Sequence, residues 1–177
     1  VLGHVQSGKT ANYTAVIAKA LDAGYRLVIV FSGMYTNLRR QTQSRLLQDL
    51  QVEHSRTIHP LTTIENDIGY SPSLDAFFAG GTAALAVVKK NHKRLERLRN
   101  MLRDLSNRTR EELPVLIIDD EADQATPNTS KNVIEESTTI NRLMKEIWTE
   151  VRTGTYVVYT ATPFANVFMN PNDDEEL

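Results

Sequence analysis

Four short runs of consecutive apolar residues constrain this chain most: Leu27–Phe31, Leu85–Val88, Val115–Ile118 and Tyr156–Tyr159. None alternates apolar with polar residues, as a half-solvated antiparallel strand would. Runs apolar on both faces suit parallel strands covered by helices on each side. Helical periods fill the intervals. Residues 10–22 are alanine-rich, and Gly24 is placed to cap that helix at its C-terminus. Leu95, Leu98, Leu102 and Leu105 fall at helical spacing. Ile140, Leu143, Met144, Ile147, Trp148 and Val151 follow i, i+3, i+4, i+7, i+8, i+11, which predicts a core-facing stripe that includes the tryptophan. The alternation predicts an α/β fold, a mostly parallel sheet with helices on both faces. Residues 51–73 hold Pro60, Gly69 and Pro72, show no period, and read as loop with a short turn of helix. Residues 124–132 read as a second loop.

Composition narrows the functional classes. At 177 residues the chain is one ordinary domain, and 41% hydrophobic with 24% charged residues excludes disorder and fibre. With no cysteine, disulfide scaffolds, thiolate zinc sites and cysteine nucleophiles are excluded. A net charge of −2 announces neither nucleic acid nor membrane. No apolar run approaches the ~20 residues of a membrane span, and no signal-peptide pattern opens the chain, so a cytoplasmic domain is expected. The chain starts Val1-Leu2-Gly3 without methionine and ends on Asp173-Asp174-Glu175-Glu176. A piece of a longer polypeptide, cut within its first strand, is the expectation.

Gly3-His4-Val5-Gln6-Ser7-Gly8-Lys9-Thr10 matches G-x-x-x-x-G-K-[ST] at every fixed position. Glycines let such a backbone curl so that its N–H groups face phosphate oxygens, and the helix that follows offers its positive end to the same anion. Gly3, Gln6, Ser7, Gly8, Lys9 and Thr10 are therefore the candidate ATP-binding residues. Lys9 would reach the β- and γ-phosphates, and the Thr10 hydroxyl would ligate Mg²⁺. A plain glycine turn capping a helix is the competing reading.

The run Val115–Ile118 ends in Asp119-Asp120-Glu121-Ala122-Asp123. Carboxylates at the carboxyl end of a buried parallel strand lie where open α/β sheets bind ligands. Asp120 is placed to hold Mg²⁺, and Glu121 to deprotonate a water attacking the γ-phosphate. Asp119 stands one place before the metal position, where a strand-end cap is the plain reading. Lys89 to Arg110 carries nine of the twenty Lys and Arg residues against Glu96 and Asp104 alone. This stretch either tracks nucleic-acid phosphates or is the solvent face, through Lys93, Arg94, Arg97 and Arg103, of a leucine-striped helix.

At Asp120-Glu121-Ala122-Asp123 and at Thr160-Ala161-Thr162-Pro163 the chain resembles the superfamily two helicases and translocases. More narrowly, its phosphate loop, Ile118–Ala125 and Tyr159–Asn166 are similar to the bacterial Z-one domain family of endonuclease-like restriction or defence proteins, as is Val87–Asn91. The resemblance spans Gly3 to about Phe168. It implies a RecA-like ATPase domain, the first of two, with the second RecA-like domain and a nuclease domain elsewhere in the parent chain. It implies that Asp123, Thr160, Ala161 and Thr162 couple the nucleotide site to nucleic acid. It also implies nucleic-acid contacts, DNA rather than RNA, at Ser32, Gly33 and Asn37 after the Leu27–Phe31 strand. Leu38-Arg39-Arg40-Gln41 loosely matches a family segment there. Lys89, Lys90 and Asn91, at the end of another strand, are further nucleic-acid candidates. The competing classes are a nucleotide-dependent interaction module and a signalling P-loop ATPase acting on protein partners.

Overall fold

The computed structural model describes residues 8–52, 57–68, 74–120 and 131–160. Five strands form one all-parallel sheet: β1 (Leu27–Ser32), β2 (Ile58–Pro60), β3 (Ala83–Lys89), β4 (Pro114–Asp119) and β5 (Thr153–Val158). Their order is β2-β3-β1-β4-β5. The helices are α1 (Lys9–Asp22), α2 (Thr36–Asp49), α3 (Leu74–Ala79), α4 (His92–Arg103), α5 (Asn107–Glu112) and α6 (Lys131–Glu150).

The non-alternating runs form the strands for the reason their composition suggests. β1 is buried at all six positions. Its odd residues Leu27, Ile29 and Phe31 join Ala86, Val88 and Ile117 under Leu95, Leu98, Ile140 and Ile147 of α4 and α6. Its even residues Val28 and Val30 join Leu85, Val87 and Ile118 under Tyr13 and Ile17 of α1 and Leu46 of α2. The sheet thus carries a packed core on each face. α1 closes as expected around Gly24, whose φ is +94°; Tyr25 N–H donates to Ala20 O and Gly24 N–H to Leu21 O, a Schellman motif.

Three expectations change. Residues 51–73 contain β2, an edge strand of three residues whose closing Pro60 has no N–H to offer; a segment that short shows no period. The leucine stripe is split, because Leu105 falls in the turn where the Ser106 side chain accepts from Thr109 N–H and caps α5. Trp148 is not core but 38% exposed. It sits at the margin of the α6 stripe, edge-on to Tyr156 of the outermost strand (5.7 Å between centroids), and no further strand covers its outer side among the described residues. No helix among those residues is long and apolar enough to cross a membrane.

Candidate nucleotide and metal site

Parallel strands put their carboxyl ends on one rim, so the residues following β1, β3, β4 and β5 share one edge of the molecule. α1 begins there. Gly8 precedes it with φ +78°, a left-handed conformation natural to glycine, and its carbonyl accepts the first helical bond from Asn12 N–H. The first turn of α1 contains Lys9 and no acidic residue. A cation at the positive end of a helix dipole is unfavourable unless an anion joins it.

Thr10 and Asp120, distant in sequence, meet through a third residue. The Tyr13 hydroxyl lies 3.4 Å from Thr10 Oγ1 and 3.3 Å from Asp120 Oδ2. Tyr13 is fully buried, and its ring packs edge-on against Tyr159 at 5.4 Å. Tyr159 donates to Asn12 Oδ1 at 2.8 Å, tying the end of the sheet to the start of α1. Burial, then the Asp120 charge, pushes the Tyr13 phenol up to about 12; the same two causes raise Tyr159. Thr10 Oγ1 and Asp120 Oδ2 are hard oxygen donors held beside the same residue, a donor type that suits Mg²⁺, which takes one or two protein oxygens and fills the rest with phosphate and water. Thr10 and Asp120 would hold it.

The main chain of Asp120 is fixed as well. Its N–H donates to Phe31 O at 2.9 Å, and its carbonyl accepts from Lys90 Nζ at 2.8 Å. Lys90 Nζ also lies 2.6 Å from Asp119 Oδ1, and Tyr156 donates to Asp119 Oδ2 at 3.0 Å. Burial, then the Asp119 charge, raises the Tyr156 phenol far above its ordinary range. Asp119 is therefore more than a strand-end cap; it anchors a buried charge cluster at the end of β4.

Of the candidate nucleic-acid residues, Asn37 is exposed and Lys89 and Asn91 are half-buried at the rim. Among the described residues Lys89 Nζ reaches the exposed Thr36 hydroxyl, at 3.2 Å. Ser32 is buried, donating to Val88 O at 3.4 Å, and Gly33 is buried beside it. Lys90 is 2% exposed, so its ammonium faces inward to the carboxylate and carbonyl named above and offers no surface to nucleic-acid phosphates. The basic stretch reads largely as structure: Arg99 and Arg103 of α4 pair with Glu146 and Glu150 of α6, and Arg110 of α5 also pairs with Glu150. Lys93, Arg97 and Arg103 are exposed, whereas Arg94 is half-buried and donates to Ile68 O.

Thr160 is buried at the same rim. Gly3, Gln6, Ser7, Glu121, Asp123, Ala161 and Thr162 lie outside the described residues. Tyr13 is not singled out within the alanine-rich stretch 10–22; its hydroxyl is the one sequence signal of this role. No protein-family model and no curated protein sequence matches the chain.

Proposed function

We propose that this chain is the nucleotide-binding domain of a helicase-like, nucleic-acid-dependent ATPase, a RecA-like P-loop domain acting as the first of two in a larger bacterial restriction or defence protein. One observation carries the reading: Thr10, from the phosphate-loop motif, and Asp120, from the acidic motif, converge on a single buried hydroxyl. Neither motif needs the other by chance, and an ATP site needs both.

When bound, Mg²⁺-ATP brings the phosphoryl group and the charge that neutralises its departing oxygens. The backbone N–H groups of Gly3, Gln6, Ser7 and Gly8 would bind phosphate, and Lys9 would add the cation. Glu121, directly after Asp120, takes the proton of the attacking water. Asn37, Lys89 and Asn91 form the nucleic-acid rim, which the buried Ser32 and Gly33 support from beneath, and Asp123 with Thr160–Thr162 links it to the nucleotide. Arg142 and Arg152 are the only arginines from residue 123 onward. Arg142 pairs with Glu146 on its own helix, so a charge-stabilising arginine comes from the second domain.

Calorimetry with ATP and Mg²⁺ tests the site. Lys9→Ala should abolish detectable binding, and unchanged affinity removes the phosphate-loop assignment. In the parent protein, DNA should stimulate hydrolysis in a salt-dependent way, and Glu121→Gln should bind nucleotide without turnover. ATP binding without DNA-stimulated turnover would favour a nucleotide-switched interaction module instead.

A further inference from the structure

Tyr13 presents a buried hydroxyl where an aromatic ring alone would complete the core. Its ring lies between α1 and the sheet, against Tyr159. A phenylalanine would bury the same apolar area without a polar atom that has to be satisfied. The hydroxyl is satisfied, and by two particular groups: Thr10 Oγ1 and Asp120 Oδ2.

A phenol has one proton. Of the two oxygens 3.3 and 3.4 Å away, the carboxylate is charged and the stronger acceptor, so that proton goes to Asp120. Thr10 Oγ1 is the second and more distant acceptor of the same hydroxyl. Asp120 has one oxygen tethered, and its other oxygen is oriented by that tether. Thr14 adds a second restraint, its hydroxyl donating to Thr10 O at 2.8 Å and holding the first turn of α1 in place.

We propose that Tyr13 is a positioning residue for the divalent cation, holding the rotamer of Asp120 and the place of Thr10 Oγ1 before the metal arrives. The inference rests on the Mg²⁺-ATP reading above and adds a residue outside both motifs. Tyr13 touches neither nucleotide nor metal; it acts through the two oxygens that would. Removing its hydroxyl therefore weakens the contribution of Mg²⁺ to nucleotide affinity while sparing the part supplied by Lys9 and the loop backbone.

The test measures ATP affinity of the full 177-residue chain by calorimetry, once in EDTA and once in saturating Mg²⁺. Tyr13→Phe keeps the ring packing and loses only the oxygen. Its affinity in EDTA should stay within about twofold of wild type, and its gain on adding Mg²⁺ should fall about tenfold. Tyr13→Met fills the space differently, also lacks the hydroxyl, and should show the same split. In an Asp120→Asn background Tyr13→Phe should add nothing further. A full Mg²⁺ gain in either folded variant overturns the inference and leaves the ATP site standing. Parallel loss with and without Mg²⁺ also overturns it, since that is the mark of general packing damage. If wild type itself shows no Mg²⁺-dependent ATP binding, the functional reading falls and this inference with it.

Discussion

Lys90 and Asp119 form an ion pair across the end of the central strand. They follow β3 and close β4, which flank β1 and do not touch each other in the sheet, yet Lys90 Nζ comes within 2.6 Å of Asp119 Oδ1. Both residues are buried, at 2% and 6% exposure. Removing one partner of a buried pair strands the other charge, which costs about 3–5 kcal/mol. Lys90→Met should therefore lower the denaturant midpoint by that amount. Adding Asp119→Asn, which removes the stranded charge and still accepts from Tyr156, should recover part of it. A Lys90→Met loss below about 1 kcal/mol would contradict the geometry.

Lys89 should behave differently from its neighbour. With its ammonium at the exposed rim, Lys89→Ala should leave stability unchanged, weaken nucleic-acid binding evenly across sequences, and reduce the salt slope by about one. Filter binding across a salt series measures this. An unchanged slope would make Lys89 an ordinary solvated side chain.

Arg39 should be indispensable to folding although sequence resemblance placed it in a nucleic-acid-contacting segment. It is 2% exposed, with Nη2 donating to Thr63 O at 2.9 Å and Ile64 O at 2.5 Å and Nε 3.8 Å from Asp67 Oδ2. Asp67 in turn accepts from Lys89 N–H at 3.1 Å. Arg39→Met should destabilise by about 3–5 kcal/mol, and Arg39→Lys should not rescue it, because an ammonium cannot span those separated carbonyls. Thermal unfolding of both variants decides the point, and a Lys variant as stable as wild type would contradict it.

Alkali should unfold the protein through its buried phenols. Tyr13, Tyr156 and Tyr159 all titrate above their ordinary value, raised first by burial and then by Asp120, Asp119 and Asp120 respectively. The unfolded chain releases these protons near pH 10 while the native state keeps them. The stability they contribute is complete below about pH 10 and falls as the pH climbs toward the Tyr13 value of about 12. Phenolate absorbance at 295 nm should rise together with loss of helical circular dichroism. Ionisation of all six tyrosines with the helical signal intact would contradict it.

Much of the architecture was legible because the sheet is buried on both sides. Residues 27–31, 85–88 and 115–118 are apolar at every position, which left little choice of environment. Legibility failed where the chain solves a local problem with tertiary partners. Arg39 and Lys90 look like surface cations until Asp67 and Asp119 are brought to them from other elements. Trp148 fitted the apolar period of α6, but periodicity does not say where a sheet stops. The start of β5 was missed because Thr153-Gly154-Thr155 is polar and exposed, as an edge strand can be. Gly154 is required there, since a Cβ would lie 2.5 Å from Val115 O. At the candidate site, Thr10 and Asp120 were readable from their motifs, whereas the hydroxyl joining them was not.

The order β2-β3-β1-β4-β5 also governs how the chain reaches its native state. Leu27 takes its two sheet neighbours from Ala84 and Val115, so the first of the described strands is flanked by partners made much later. Closing loops that long costs chain entropy before any pairing rewards it, and topologies dominated by distant pairings fold slowly. During synthesis the wholly apolar segment Leu27–Phe31 leaves the ribosome well before β4 can shield its second edge. Until then it is a naked template for association with other chains. Nascent chains halted before residue 114 should accordingly depend on chaperones, and chains extended past residue 119 should not.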